Sequence, residues 1–213
     1  MTKRKRGHFI TLEGGEGTGK STQTRRLAAA LEMHDISCVL TREPGGSPGA
    51  EEIRDLLVNG EPGRWDVLTE TLMLYAARAD HVTRTIKPAL AEGRWVLCDR
   101  FSDSSYAYQG AGRGLDRETV RRIESVAIGD FKPELTLVLD LPAEEGLKRA
   151  HARASSESRF EKFDVEFHER LRQAFLDIAK RNGDRCRVID ASGDEDTVAH
   201  AILDAVKTRF GLS

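Results

Sequence analysis

The sequence predicts an α/β fold in three layers, with a five-stranded parallel sheet flanked by helices in a single domain spanning residues 1–213. Three observations carry this. Five short apolar runs alternate with longer amphipathic stretches, and runs that short and continuous suit strands buried on both faces. The stretches between them are long enough for crossover helices, so the alternation implies right-handed βαβ units. No internal repeat or low-complexity linker interrupts the 213 residues, a length that suits one domain.

The first run, Phe9-Ile10-Thr11-Leu12, ends in Glu13 and a glycine-rich turn. Residues 20–34 then carry Leu27, Ala30 and Leu31 on one helical stripe. The second run, residues 36–40, ends in Thr41-Arg42-Glu43-Pro44-Gly45-Gly46, and a helix is expected near 50–58. Residues 66–91 predict a long helix with Leu68, Leu72, Tyr75, Ala79 and Val82 on its apolar side. The third run, 95–98, ends in Asp99-Arg100, and a helix follows at 117–128. The fourth, 135–139, ends in Asp140, before helices at 143–152 and 162–181. A weaker fifth, 186–189, ends in Asp190 and leads to a helix at 195–209. Ligands of parallel sheets bind at the carboxyl ends of strands, and every run here ends in polar or glycine-rich residues.

Composition excludes several classes. At 39% hydrophobic residues the chain can bury a core. Lys plus Arg total 33 against 35 Asp plus Glu, a net charge of −2, which argues against a nucleic-acid partner. The short basic run Lys3–Arg6 reads as a solvated end. No stretch approaches 18 uninterrupted apolar residues, so no membrane partner is expected, and no long apolar segment follows the basic start as in a secretory signal. Cys38, Cys98 and Cys186 are far apart with no CxxC pair, as for reduced thiols in the cytoplasm. The six histidines show no metal spacing and read as surface or packing residues.

Chemistry enters with Gly14-Gly15-Glu16-Gly17-Thr18-Gly19-Lys20-Ser21, followed by Thr22. This fits G-x-x-x-x-G-K-[ST] between a predicted strand and a predicted helix. Glycines let backbone N–H groups wrap an anion, and the helix N-terminus adds positive potential. Lys20 supplies charge to the β- and γ-phosphates of a nucleotide, and Ser21 offers its hydroxyl to Mg²⁺. No N-K-x-D base-reading motif exists, and the D-x-x-G match at Asp190–Gly193 comes too late for a GTPase. The compact chain points to phosphoryl transfer onto a small molecule.

Three further segments complete the pattern: Thr41-Arg42-Glu43-Pro44-Gly45-Gly46-Ser47, Leu74-Tyr75-Ala76-Ala77-Arg78-Ala79-Asp80-His81, and Asp99-Arg100-Phe101-Ser102-Asp103-Ser104-Ser105-Tyr106-Ala107-Tyr108-Gln109-Gly110. With the glycine-rich loop and Glu13 they resemble thymidylate kinases, in consistent order from about residue 8 to residue 190. The resemblance implies the P-loop nucleoside monophosphate kinase fold and transfer of the γ-phosphate of ATP to dTMP, giving dTDP and ADP for dTTP synthesis. It also implies a homodimer built on helices.

Arg100, at a strand's carboxyl end, can hold the acceptor phosphate through a bidentate fork. Asp99 either assists Mg²⁺ or pairs structurally with Arg100. Tyr75 and Arg78, three apart on a helix, project toward one face, suited to stacking on a pyrimidine and bonding its carbonyl. Leu74 stands where some relatives place phenylalanine. Ser105 and Tyr108 match positions near the base edge and the deoxyribose, and Gln109 matches a family position without a firm role. Glu13 is expected beside the acceptor phosphate and Mg²⁺, and Glu43 at metal-bound water or the acceptor. The basic, serine-rich segment at about 150–162 resembles a lid whose Arg153 and Arg159 meet transition-state charge, with Arg149 on the preceding helix face.

Overall fold

The computed structural model describes residues 6–59, 61, 63–152 and 163–212. Five parallel strands, β1 (Phe9–Glu13), β2 (Cys38–Arg42), β3 (Trp95–Asp99), β4 (Leu135–Asp140) and β5 (Cys186–Asp190), lie in the order β2-β3-β1-β4-β5. Alternation along β1 decides its two faces. Ile10 and Leu12 pack with Leu27 and Leu31 of α1 (Lys20–Glu32) and with Ile202 and Val206 of α9 (Glu195–Phe210). Phe9 packs on the other face with Val82, Ile86 and Phe101. A third cluster joins Val138 of β4 to Ala107, Tyr108 and the apolar side of α8 (Val165–Arg181). The central strands β1, β3 and β4 are buried except at the last residue of β3 and of β4, whereas β2 and β5 at the edges keep exposed positions.

Strand and helix positions follow the sequence expectation closely. The N-termini of α3 (Val67–His81), α6 (Arg117–Ile128), α8 and α9 are capped by Asp66, Asp116, Asp164 and Asp194, whose carboxylates accept backbone N–H bonds. The expected helix at 66–91 is helical throughout but not α throughout. Between α3 and α4 (Lys87–Ala91) the residues Val82–Ile86 take a wider π turn, and Lys87 N–H reaches back to the Val82 carbonyl. Pro88 has no N–H for the carbonyl four residues before it, so the wider register accommodates the missing donor.

One helix was not expected. Ser102–Ser105 (α5) and the π turn Tyr106–Gly112 continue directly from the loop after β3. Polar residues at 102–105 and glycines at 110 and 112 give it no apolar period and poor propensity. A remote carboxylate supports it instead. Glu13 at the end of β1 accepts from Phe101 N–H at 2.8 Å, Ser104 N–H at 3.3 Å and Ser104 Oγ–H at 2.6 Å, acting as a cap supplied by another strand. Among the described residues no helix is long and apolar enough to cross a membrane.

Candidate active site

Because β1 and β3 pair in parallel with Leu12 opposite Asp99, the segments leaving their carboxyl ends emerge side by side. From β1 comes the loop Gly14–Gly19, closed by α1 from Lys20. Gly14 has φ 139°, and a Cβ there would stand 2.5 Å from the Leu139 carbonyl oxygen. Gly19 takes the left-handed conformation immediately before α1, at φ 87°. From β3 comes Arg100, itself left-handed at φ 70°, with its N–H bonded to the Leu12 carbonyl.

The two cations converge on one atom. Lys20 Nζ donates to the Gly14 carbonyl at 3.1 Å and to that of Gly15 at 2.6 Å, while Arg100 Nη1 donates to the same Gly14 oxygen at 2.9 Å. Arg100 Nη2 donates to Glu16 Oε1 at 3.0 Å, an oxygen that also accepts from the Tyr108 hydroxyl at 2.7 Å. Beside Arg100 lies a cavity of about 140 Å³, lined on its polar side by Glu16, Glu43, Arg78, Ser105 and Gln109 and on its apolar side by Val58, Leu74 and Phe101.

The comparisons with known proteins agree on one family. The thymidylate kinase family matches residues 12–202. The chain is 55% identical to the thymidylate kinase of Caulobacter vibrioides over 97% of this chain and 99% of that one. This chain belongs to the thymidylate kinase family. A second relative, the thymidylate kinase of Ruegeria pomeroyi, is 51% identical over 96% of each chain. Among solved structures, the thymidylate kinase from Ehrlichia chaffeensis superposes with a TM-score of 0.76 at 35% identity, covering 94% of this chain and 99% of that one.

Most of the residues expected at a thymidylate kinase site do meet. Glu16, Glu43, Arg78, Arg100, Ser105, Tyr108 and Gln109 all line the cavity. Gln109 is anchored by Nε2 donating to Glu70 Oε1 at 2.8 Å. Asp99 Oδ2 accepts from Ser21 Oγ–H at 2.5 Å, while Arg100 takes Glu16 as its carboxylate partner. Arg149 of α7 (Ala143–His151) bridges to the Ala191 carbonyl after β5 at 3.1 Å. Arg153 and Arg159 lie outside the described residues.

Two expectations are corrected. Tyr75 does not line the cavity. It is 1% exposed, its hydroxyl bonds Ser102 Oγ at 3.0 Å, and its ring lies 4.4 Å from the Arg78 guanidinium, so it supports that arginine from within the core. Leu74, its neighbour on α3, takes the place in the wall. Glu13 also stays out of the cavity. Fully buried, it has both oxygens occupied by Phe101 and Ser104, which makes it a clamp on the segment after Arg100. Sequence reasoning gave no role to Val58, which carries no motif, or to Phe101, quoted only as part of a segment, and it read His81 as a surface or packing residue.

Electrostatics follow from burial and proximity. Burial, then the Asp103 charge, push the Glu13 carboxyl up to about 7. Burial favours the neutral form of Glu16 too, but Arg100 and Lys20 outweigh it and hold that carboxyl at about 2. Burial, with the Arg100 charge adding to it, lowers Lys20 to about 8. An anion delivered between Lys20 and Arg100 meets two partly desolvated cations, where attraction is stronger than in water.

Proposed function

We propose that this member of the thymidylate kinase family transfers the γ-phosphate of ATP to dTMP, giving dTDP and ADP for dTTP synthesis in the cytoplasm. The observation that supports this most is the shared Gly14 carbonyl, bonded by Lys20 at 3.1 Å and Arg100 at 2.9 Å. A lysine at a helix N-terminus and an arginine one strand over, aimed at one point, suit a donor and an acceptor phosphate lying end to end.

The backbone N–H groups of the glycine loop and the start of α1 hold the triphosphate. Lys20 exchanges its carbonyl partners for the β- and γ-oxygens. The dTMP phosphate takes over the Nη2 donor that Glu16 now accepts and the Nη1 donor now on the Gly14 carbonyl, a bidentate contact in place of a single carboxylate bond. The acceptor oxygen is already anionic, so no general base is needed. Tyr108, 4.9 Å from the Arg100 guanidinium, packs beside the sugar and leaves no room for a 2′-hydroxyl. Arg78 and Ser105 meet the base edge. Guanidinium N–H groups only donate, which favours a carbonyl at the pyrimidine 4-position over an amino group. Ser21 Oγ and Asp99 Oδ2, 2.5 Å apart where the loop meets α1, are hard oxygen donors of the kind that hold Mg²⁺ together with phosphates and water. When bound there, Mg²⁺ supplies charge neutralisation on the transferring phosphates.

The lid role of Arg153 and Arg159 belongs to the same proposal. Replacing both by alanine is expected to lower kcat by roughly 10²-fold while the KM for dTMP changes little, because closure contributes only as charge develops. Steady-state rates of the single and double variants check this, and wild-type kcat in the double variant removes the role. A homodimer is proposed on the face where Leu56 of α2 (Pro48–Val58), Leu68 and Leu72 of α3, and Val126 of α6 are exposed by 44%, 44%, 50% and 90%. Leu72→Glu is expected to shift the protein from two chains to one in light scattering, and an unchanged particle mass rejects that face. Release of ADP with dTMP, dUMP, UMP and dCMP in parallel tests the function as a whole. A best substrate carrying a ribose, or no turnover of any pyrimidine monophosphate, overturns it.

A further inference from the structure

We infer that His81 is a positioning residue for base recognition: it fixes Glu43, and through Glu43 the guanidinium of Arg78, in the wall of the acceptor cavity. This rests on the reading of Arg78 as the residue that meets the base.

His81 is fully buried in the last turn of α3, three residues beyond Arg78 and therefore on the same helix face. Its ring spans a residue near the end of β2 and one just after it. Nδ1 lies 3.0 Å from Glu43 Oε1, and Nε2 lies 2.7 Å from Thr41 Oγ1. The other Glu43 oxygen accepts from Arg78 Nε–H at 2.6 Å. An ionised carboxylate only accepts, so the Glu43 contact assigns the proton to Nδ1, while a hydroxyl serves Nε2 in either role. The result is a chain from Thr41 through His81 and Glu43 to Arg78, in which the last three side chains are 0%, 3% and 2% exposed.

The rest of Arg78 is equally constrained. Nη1 donates to Ser105 Oγ at 3.1 Å and Nη2 to the Phe101 carbonyl at 3.1 Å. With Nε engaged by Glu43, two of the five guanidinium N–H groups remain, one on each terminal nitrogen. The direction of those two depends on the plane of the guanidinium, and Glu43 sets that plane at its Nε edge. Among the described residues, Glu43 Oε1 has His81 as its partner. Removing the imidazole therefore frees the carboxylate to turn and carry Arg78 with it.

The backbone around His81 supports the same assignment independently. Gly46 has φ 86°, and a Cβ there would fall 2.3 Å from both His81 Nε2 and Thr41 Oγ1. Thr85 Oγ holds the Gly46 carbonyl at 2.7 Å. The segment from Thr41 to Gly46 thus wraps the histidine closely enough to require glycine, and the Thr41–His81 bond lies where the side chain would be.

The test is steady-state kinetics of the full-length protein and its Arg78→Ala, His81→Leu, His81→Asn and Thr41→Val variants, with dTMP and dCMP at saturating ATP and with ATP varied. His81→Leu is expected to raise the KM for dTMP roughly tenfold, the scale of losing one charge-assisted bond. The KM for ATP and kcat stay within about twofold, and the preference for dTMP over dCMP narrows. His81→Asn, whose amide N–H stands where Nδ1–H stood, restores most of the loss. A merely structural histidine would instead lower melting temperature and kcat, affect both substrates alike, and not be rescued by asparagine; that result overturns the inference. If His81→Leu does not fold, Thr41→Val decides, a selective rise in the dTMP KM supporting the inference and an unchanged one overturning it. Arg78→Ala separates the two layers. A wild-type dTMP KM in that variant removes the base-reading role itself, whereas a raised one with His81 variants unchanged removes only the role of His81.

Discussion

Arg100→Ala is expected to lower kcat/KM for dTMP by 10²- to 10³-fold, the usual loss when one preorganised donor to a reacting oxyanion is deleted. On the proposed function the arginine is the hub of the acceptor side, and it is bonded to Gly14, Glu16 and Ser104 at 2.9, 3.0 and 3.3 Å. Arg100→Lys keeps the charge but not the planar fork, so it recovers only part of the rate. The KM for ATP should hold, since Lys20 and the loop remain. A second readout follows from Glu16. Its folded value of about 2 lies below the ordinary 4.5. Its ionised form therefore adds stability that is present above pH 4.5 and lost as pH falls toward 2. Without the Arg100 charge that depression shrinks, and the acid limb of the melting-temperature profile moves to higher pH. Wild-type kcat/KM in Arg100→Ala would remove the arginine from the acceptor site.

Gly17→Ala is expected to destabilise the protein by about 2–4 kcal/mol, combining left-handed strain with overpacking, and to abolish tight ATP binding. Gly17 occupies a position that the phosphate-loop pattern leaves open to any residue. In the structure it has φ 70°, and a Cβ would fall 1.8 Å from the Gly146 carbonyl oxygen of α7. Gly146 is the reciprocal case, with a Cβ 2.4 Å from the Glu16 carbonyl. Both contacts are backbone, so no side-chain rotation relieves them; α7 must move off the loop, and Glu16 with it. Melting temperature and ATP titration measure this. A Gly17→Ala protein with the wild-type melting temperature and ATP affinity would show that the loop and α7 are free to separate.

The fold was largely legible in the chain. Buried parallel strands need continuous apolar runs, and all five runs became strands within two residues of the expected ends. The phosphate loop was legible because its chemistry is local, with glycines, a lysine and a hydroxyl in consecutive positions. Arg78 and Arg100 were legible as charges, and both line the cavity. Tyr75 was not, because helical spacing says which residues share a side and not what packs against that side. Here the Ser102 hydroxyl drew the tyrosine inward and left Leu74 at the cavity. Glu13 misled for a related reason. A carboxylate beside a phosphate loop suggests metal, yet the N–H groups that claimed it come from a helix without a sequence period.

By itself, then, the sequence determined the order of strands and helices, the anion-binding turn and the charges that flank it, since each depends on neighbours within a few residues. Which oxygen each cation meets was decided only in three dimensions. Parallel pairing of β1 with β3 brings Lys20 and Arg100, eighty positions apart, to a single carbonyl. The fold of the Thr41–Gly46 segment around His81 likewise joins a histidine assigned no role from sequence to Glu43, the carboxylate that holds Arg78. Side-chain hydrogen bonds between distant segments have directions set by packing, and no local pattern encodes them.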